Sequence, residues 1–228
     1  MSLQKGLVAH WTMSEDSLQS ATVLADKTPY ENKGTIYGAT FTTDRKGKAN
    51  SAMSFDGVND YIDCGGGGSS LDISNGLTMT AWINSNDVNK STHQTVFGKN
   101  DKSGGAVYAH QIDASTNGRF SAYFRQLSPY PLVRSNTYLK SNIWYFITTT
   151  YDNNSKTAKI FINGKFDNLG TAYSGSLLKI GESAVQIGRF PSYSEQTQFF
   201  NGLIDDVRIY NRVLSQAEIT KLYESYNK

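Results

Sequence analysis

The sequence predicts an all-β protein made of two packed antiparallel sheets and one short C-terminal helix. Apolar and polar residues alternate over most segments, which is the period-two pattern of half-buried strands. Clusters of turn-forming residues recur about every 8 to 15 positions, a spacing that favours a sandwich over alternating strands and helices. The 228 residues include 14 Tyr and 20 Gly, and only 18% are charged, as is typical of short strands joined by tight turns. We therefore expect a single domain over 1–228, with its core within about 6–226.

The clearest strand runs over residues 77–84. One of its faces is entirely apolar, and the other carries polar residues together with Trp82. Residues 158–163 alternate in the same way and run into Asn163-Gly164. This dipeptide predicts a type I′ hairpin turn, because that turn requires positive φ at both central positions.

Only the C-terminal segment reads as a helix. Ser215 is a favourable N-cap residue, and Glu218, three positions later, completes the pattern of a capping box. Ile219 and Leu222 then fall on one helical face. The sequence therefore predicts a helix of about ten residues near 215–224.

Composition excludes several classes of protein. The net charge of +2 is too small to indicate a nucleic-acid or membrane-surface partner. No apolar run approaches the roughly 18 residues of a membrane span, and no secretion leader is visible before Trp11. Cys64 is the only cysteine, which excludes an internal disulfide, and we expect it to pack at a strand end.

The most informative segment is 202–219, which reads Gly-Leu-Ile-Asp-Asp-Val-Arg-Ile-Tyr-Asn-Arg-Val-Leu-Ser-Gln-Ala-Glu-Ile. Five further blocks precede it in order: 6–11 with its tryptophan, the turn 26–34, Phe-Asp-Gly-Val-Asn-Asp-Tyr-Ile at 55–62, the strand 77–83, and 144–164 with Trp-Tyr, Tyr-Asp and Asn-Gly. Together these blocks resemble the laminin-G-like modules of the concanavalin A-like lectin/glucanase superfamily. The resemblance implies that the two sheets form a jelly-roll sandwich.

The resemblance also implies a noncatalytic binding module that recognises a glycan or a glycosylated surface. Its expected location is extracellular, or on the surface of a cell or virion. An alternative is an adhesion or structural protein that binds another protein, and an exposed apolar patch would indicate it.

A glycoside hydrolase is disfavoured. Enzymes of the superfamily carry a Glu-x-Asp-x-x-Glu or Glu-x-Asp-x-Glu strand, and neither pattern occurs here. Asp205 and Asp206 are adjacent, so an extended strand would point them to opposite faces. His10, His93 and His110 show no spacing typical of a metal site or a catalytic triad. We therefore expect the chain not to be an enzyme.

A structural calcium site is implied by the resemblance. Asp26, Asn32 and Asp205 match the family's hard oxygen donors, and the backbone carbonyl of Tyr30 is a further candidate ligand. Calcium prefers six to eight such oxygens, including carbonyls from a tightly curled loop. The expected role of the ion is to hold the first and last segments of the domain together.

The same turn departs from the family at two positions. Pro29 and Glu31 stand where the family has glycine, and both resist positive φ. The alternative for this segment is an Asx-turn, in which Asp26 accepts hydrogen bonds from Thr28 or Asn32.

Candidate ligand-binding residues lie on two predicted strands and two flanking loops. Pairs of polar or aromatic residues two positions apart point to one sheet face, where tyrosine can stack on a sugar ring and arginine or histidine can donate to its hydroxyls. Proline stiffens the loops 127–134 and 189–196, which lowers the cost of ordering them. The candidate set is Tyr108, His110, Tyr123, Arg125, Tyr130, Arg189 and Tyr193. The competing interpretation is an ordinary solvent-facing surface, and Trp11, Trp82 and Trp144 are expected to pack structurally.

Overall fold

The computed structural model describes residues 2–65, 70–100, 106–114, 116–124, 132–170, 185–190 and 198–226. Within these ranges it contains strands and one α-helix, together with a short 3₁₀ turn at Glu15–Ser17. The elements are β1 (Leu7–Trp11), β2 (Leu18–Ser20), β3 (Val23–Leu24), β4 (Gly34–Tyr37), β5 (Thr40–Thr42), β6 (Ala52–Asp56), β7 (Tyr61–Asp63), β8 (Gly76–Ser85), β9 (Gln94–Asn100), β10 (Ala106–Ile112), β11 (Arg119–Tyr123), β12 (Leu132–Tyr138), β13 (Tyr145–Asp152), β14 (Thr157–Ile162), β15 (Lys165–Gly170), β16 (Val185–Ile187), β17 (Asn201–Tyr210) and α1 (Gln216–Ser225).

The strands form two antiparallel sheets. The first sheet has the order β15-β14-β13-β8-β17-β6-β5, with β1 also paired to β17. The second sheet has the order β12-β11-β10-β9-β16-β7-β4-β3-β2. Neighbouring strands are often distant in sequence, as in a jelly roll, and the predicted all-β sandwich is confirmed.

The main core lies between the two sheets. The apolar face of β8 points into it through Leu77, Met79, Ala81 and Ile83, as the alternation predicts. Trp11 is also fully buried there, and its indole nitrogen donates to the carbonyl of Asn32 at 2.6 Å. Cys64 packs in the same core as a free thiol, and burial raises the pKa of that thiol.

A second apolar cluster covers the outer face of the first sheet, beneath α1. Trp82 and Phe146 of the sheet form this cluster together with Ile219 and Leu222 of the helix, and all four side chains are buried. Trp144 is partly buried against this cluster. The tryptophans therefore pack in two clusters on opposite sides of the first sheet: Trp11 in the main core, and Trp82 and Trp144 in or against the cluster beneath α1.

The predicted local signals of α1 and of the β14–β15 hairpin are confirmed. Ser215 caps the helix by accepting from the backbone of Glu218, and the Glu218 side chain accepts in return from the backbone of Ser215. Asn163 and Gly164 have φ values of 51° and 75°, the positive values that a type I′ turn requires. Among the described residues, no helix is long and apolar enough to cross a membrane.

Candidate ligand-binding site

Tyr108 and His110 do not face solvent, which corrects their assignment as ligand-binding residues. Both point into the sandwich from β10 and are 1% and 0% exposed. His110 packs between two rings, with centroid distances of 4.7 Å to Phe97 and 5.0 Å to Phe120. The alternation along β10 was right, but the face that carries these two residues is the inner one.

Tyr123 lies on the opposite face from that pair. The β10–β11 register places Tyr123 across from Ala109, and His110 across from Ala122. Cross-strand partners share a face, so Tyr123 points outward while His110 points inward. The prediction that these residues share one face is therefore wrong. Arg125, Tyr130 and Tyr193 lie outside the described residues.

A row of paired residues crosses the outer face of the second sheet. It runs Asp63, Gln186, Gly98, Ala109 and Tyr123 across β7, β16, β9, β10 and β11. Gly98 and Ala109 form a floor with almost no side chain, and a Cβ at Gly98 would come within 3.3 Å of Ala109. This floor is buried, whereas Tyr123 at one end is partly exposed. We call this row the outer-face groove.

A second polar row runs beside the outer-face groove. Gln111 pairs across the strands with Ser121, which pairs in turn with Arg134. The Arg134 Nε donates to Asp113 Oδ2 at 2.7 Å, and the Asp113 carboxylate is fully buried. Polar side chains thus line one flank of the groove.

The other end of the groove carries an aromatic and cationic cluster. Tyr37 and Tyr61 stack with ring centroids 4.6 Å apart and an interplanar angle of 12°. The guanidinium of Arg189 lies 4.1 Å from the centre of the Tyr61 ring, and its Nε donates to Gln186 Oε1 at 2.9 Å. Gln186 donates in turn to Asp63 Oδ2 at 3.1 Å. Arg189, one of the predicted ligand-binding residues, thus lies beside aromatic and polar side chains that could contact a ligand.

Sequence reasoning missed the remainder of this cluster. Ile62 is fully buried in the core, so period two places Tyr61 and Asp63 on the outer face. That signal is present in the 55–62 block, but contact with Gln186 depends on strands brought together by the fold.

A family model described as the concanavalin A-like lectin/glucanases superfamily matches residues 56–220. The match covers most of the chain and includes both sheets. The chain belongs to this superfamily.

Solved structures share the fold at low sequence identity. Domain 4 of AbnA, an extracellular GH43 arabinanase from Geobacillus stearothermophilus, in complex with arabinotriose, has a TM-score of 0.64 and 20% identity, over 95% of this chain and 98% of that one. The binding domain of Paraclostridial Mosquitocidal Protein 1 has a TM-score of 0.69 and 17% identity, over 97% of this chain and 52% of that one. Trypanosoma rangeli sialidase has a TM-score of 0.68 and 16% identity, over 97% and 33%. The chain therefore spans a third to about half of the latter two proteins. No curated protein matches it significantly.

The turn at Asp26 fits the Asx-turn alternative. Its two carboxylate oxygens accept five hydrogen bonds of 2.7–3.0 Å: from the backbone of His10, Thr28 and Asn32, the Thr28 hydroxyl and the Asn32 amide. A cation needs these oxygens to face it, whereas here they face N–H and O–H donors. As arranged, these residues do not form a calcium shell.

The other expected calcium ligands lead to the same conclusion. The Asn32 amide nitrogen, not its oxygen, faces Asp26, and Asp205 pairs with Arg45. The Tyr30 side chain is half exposed, and Glu31 adopts a φ of 55° despite the expected resistance to positive φ. In the described ranges, no three His, Cys, Asp or Glu side chains converge on a common point. Calcium binding stays a prediction that a titration tests.

Asp205 and Asp206 occupy an irregular part of β17. The register shifts after Asp205, and Asp206 has a φ of 46°, so the two side chains do not alternate as in a regular strand. Arg45 contacts Asp205 and stacks on Tyr226, whose hydroxyl donates to Asp206 at 2.7 Å. Both carboxylates thus lie beside the C-terminal end of α1, which corrects the expectation of opposite faces.

Their pKa values move in opposite directions. Burial and the neighbouring Asp206 raise the pKa of Asp205 to about 7, although Arg45 opposes the shift. Burial acts on Asp206 in the same sense, but His10, whose Nε2 lies 3.2 Å from the carboxylate, and Arg208, whose Nε donates to it at 2.7 Å, outweigh burial and hold the pKa of Asp206 well below its usual range. Asp206 is therefore ionised at neutral pH, whereas Asp205 titrates near neutral pH.

Proposed function

We propose that this chain is a noncatalytic module that binds a glycan or a glycosylated surface through the outer-face groove, on the outside of a cell or virion. The observation that carries the proposal is Tyr37, a ring that is 46% exposed and stacks on Tyr61 beside the polar side chains of the outer-face groove. A sugar offers an apolar ring face and a rim of hydroxyls, so a recognition site combines an aromatic ring with hydrogen-bonding groups.

The polar residues of the row support this proposal. Gly98 and Ala109 at its centre are buried, so a ligand would meet the partly exposed residues at the ends of the row. Gln186 and Asp63 at one end of the row, and Gln111 on its flank, supply donors and acceptors. The arabinanase domain bound to arabinotriose, which shares the fold, is consistent with such a role.

The carboxylates near the groove also favour binding over hydrolysis. Asp63 accepts from Gln186 and from the backbone of Gly65, and Asp113 pairs with Arg134. A retaining glycosidase needs two carboxyl groups about 5–5.5 Å apart and free to reach the glycosidic bond. These two carboxylates are instead committed to neighbouring side chains, which is the behaviour of groups that position a binding surface.

A second candidate is a protein-binding role. Tyr138 on β12, Ile143 before β13, and Phe166 and Leu169 on β15 are large apolar side chains that remain exposed. Exposed apolar surface favours association with another protein. Light scattering at increasing concentration would detect self-association, which a monomeric glycan-binding module would not show.

Replacing Tyr37 with alanine is expected to weaken glycan binding about 5- to 30-fold, because a stacking ring contributes about 1–2 kcal/mol. The melting temperature should change little, since Tyr37 is exposed and is not part of the main core. A glycan array identifies the ligand, and calorimetry then measures the affinities of both proteins. Phe166→Ala, which removes an exposed ring from the first sheet, is the matched control. Equal losses in the two variants would contradict the proposed site.

A further inference from the structure

We propose that the Arg189 end of the outer-face groove is a subsite for an acidic sugar, one that carries a carboxylate or a sulfate. The inference rests on the proposed glycan-binding function and names the chemical class of the ligand. Three features of Arg189 support it: the orientation of its side chain, the aromatic rings around it, and the lack of an acidic partner among the described residues.

The orientation of Arg189 is set by a chain of hydrogen bonds. The backbone N–H of Gly65 donates to Asp63 Oδ1 at 2.8 Å, and Gln186 Nε2 donates to Asp63 Oδ2 at 3.1 Å. The side-chain amide oxygen of Gln186, Oε1, is thereby turned toward Arg189 and accepts from its Nε at 2.9 Å. The side chain of Arg189 is therefore held in place before a ligand arrives, so less conformational entropy is lost on binding.

Aromatic rings lie on the guanidinium. The guanidinium carbon is 4.1 Å from the ring centre of Tyr61 and 6.0 Å from that of Phe199. Tyr61 is itself stacked on Tyr37. Stacking fixes the plane of the guanidinium and shields one face from water, which strengthens its interaction with an anion in that plane.

In the part of the chain that the structure describes, the terminal nitrogens of Arg189 have no hydrogen-bond partner. Among the residues that the structure describes, only Gln186 bonds to this guanidinium, and it does so through Nε. Asp63, at the far end of the hydrogen-bond chain, contacts Gln186 instead of Arg189. In contrast, Arg134 in the neighbouring row is already paired with Asp113.

An oriented guanidinium whose terminal nitrogens have no partner among the described residues matches a planar or tetrahedral anion. Two parallel N–H groups can donate to two oxygens of one carboxylate or sulfate, a geometry that lysine cannot reproduce. Tyr37, exposed and stacked on Tyr61, offers an aromatic face to the ring that carries the anionic group. A neutral sugar would leave this positive charge without a partner.

The test compares acidic sugars with neutral counterparts of the same backbone. The probes are trigalacturonic acid with its methyl ester, 3′-sialyllactose with lactose, and 3′-sulfolactose with lactose, each titrated by calorimetry; the carboxylate and sulfate pairs separate the two sources of the anion. We expect at least one acidic probe to bind about tenfold or more tightly than its counterpart, a difference of about 1.4 kcal/mol. Raising sodium chloride from about 50 to 500 mM should weaken only the acidic probe.

Variants of Arg189 identify the residue responsible. Arg189→Gln should abolish the preference for the acid, whereas Arg189→Lys should retain only part of the preference. Lys159→Gln removes one positive charge from an exposed position on β14 in the first sheet and should leave the preference intact. Gln186→Ala, which frees Arg189 to rotate, should reduce the preference to an intermediate value. Thermal melts verify that each variant is folded.

The possible failures are distinguishable. Binding of neutral glycans without an acidic preference, or a preference that survives Arg189→Gln, would overturn the acidic subsite while leaving the proposed function standing. No binding to these probes or to any glycan on an array would overturn both.

Discussion

His110→Leu is expected to stabilise the folded protein by about 1–3 kcal/mol at neutral pH. The imidazole is fully buried, and in the described part of the chain neither of its nitrogens has a hydrogen-bond partner. A buried polar group without a partner costs about 1–3 kcal/mol, whereas an apolar side chain of similar volume has no such cost. Phe97 and Phe120, which enclose the site, suit a leucine equally well. Urea unfolding followed by circular dichroism measures the difference.

The advantage of the variant should grow in acid. Burial lowers the pKa of His110 from 6.5 to about 3, so the unfolded chain binds a proton between these values that the folded chain does not. The free energy of unfolding therefore decreases as the pH falls below about 6.5, by roughly 1.4 kcal/mol per pH unit, because the unfolded chain takes up a proton that the folded chain does not. At pH 4.5 the native protein should have lost roughly 2–3 kcal/mol from this group alone. The leucine variant should lack this component.

Two further variants separate the effects of polarity and of charge. His110→Gln cannot titrate in this range but keeps unpaired polar groups, so it should remove the acid sensitivity without the gain at neutral pH. His93→Gln removes a histidine that is partly exposed and leaves His110 in place, so the acid loss should persist. An unchanged pH dependence in His110→Leu would show that another group causes it.

Asp26→Ala is expected to destabilise the protein by roughly 3–5 kcal/mol. The change removes the acceptor of five hydrogen bonds and leaves the backbone N–H groups of His10, Thr28 and Asn32 without a partner. Each buried donor left unpaired costs about 1–3 kcal/mol, and local relaxation toward water recovers part of it. Thermal and urea unfolding measure the loss. Asp16→Ala removes a carboxylate that is 84% exposed and pairs only with an exposed lysine, so it should cost less than about 1 kcal/mol.

The same variant tests the calcium prediction. Because hydrogen bonds hold the turn, the deficit of Asp26→Ala should be equal in excess chelator and in excess calcium. A native midpoint that falls in chelator, together with a variant that no longer responds to calcium, would instead show that the turn rearranges into an ion site.

The strand pattern and the local signals were predictable because they depend on neighbours in sequence. Ser215 and Glu218 lie within one turn of each other, and the positive φ values of Asn163 and Gly164 are set by turn geometry. Alternation along β8 correctly placed Trp82 opposite the core-facing residues.

The ligand-binding residues were harder to predict because alternation assigns residues to two faces without saying which face is inside. Tyr108 and His110 suit either a core or a surface, and the apolar Ile112, two positions further along β10, was the available indication that their face is buried. The registry between β10 and β11, which separates Tyr123 from His110, depends on pairing that neither strand specifies alone.

The sequence by itself determined the all-β class, the capped helix, the tight hairpin and the family, since each rests on residue patterns that are local or occur in a fixed order. Only the tertiary structure decided which sheet face is exposed, that Asp26 is surrounded by hydrogen-bond donors, and that Arg189 lies on Tyr61 beside Gln186. These contacts join segments far apart in the chain. Their geometry follows from the packing of two whole sheets, in which every strand position is fixed by its neighbours and by the shared core.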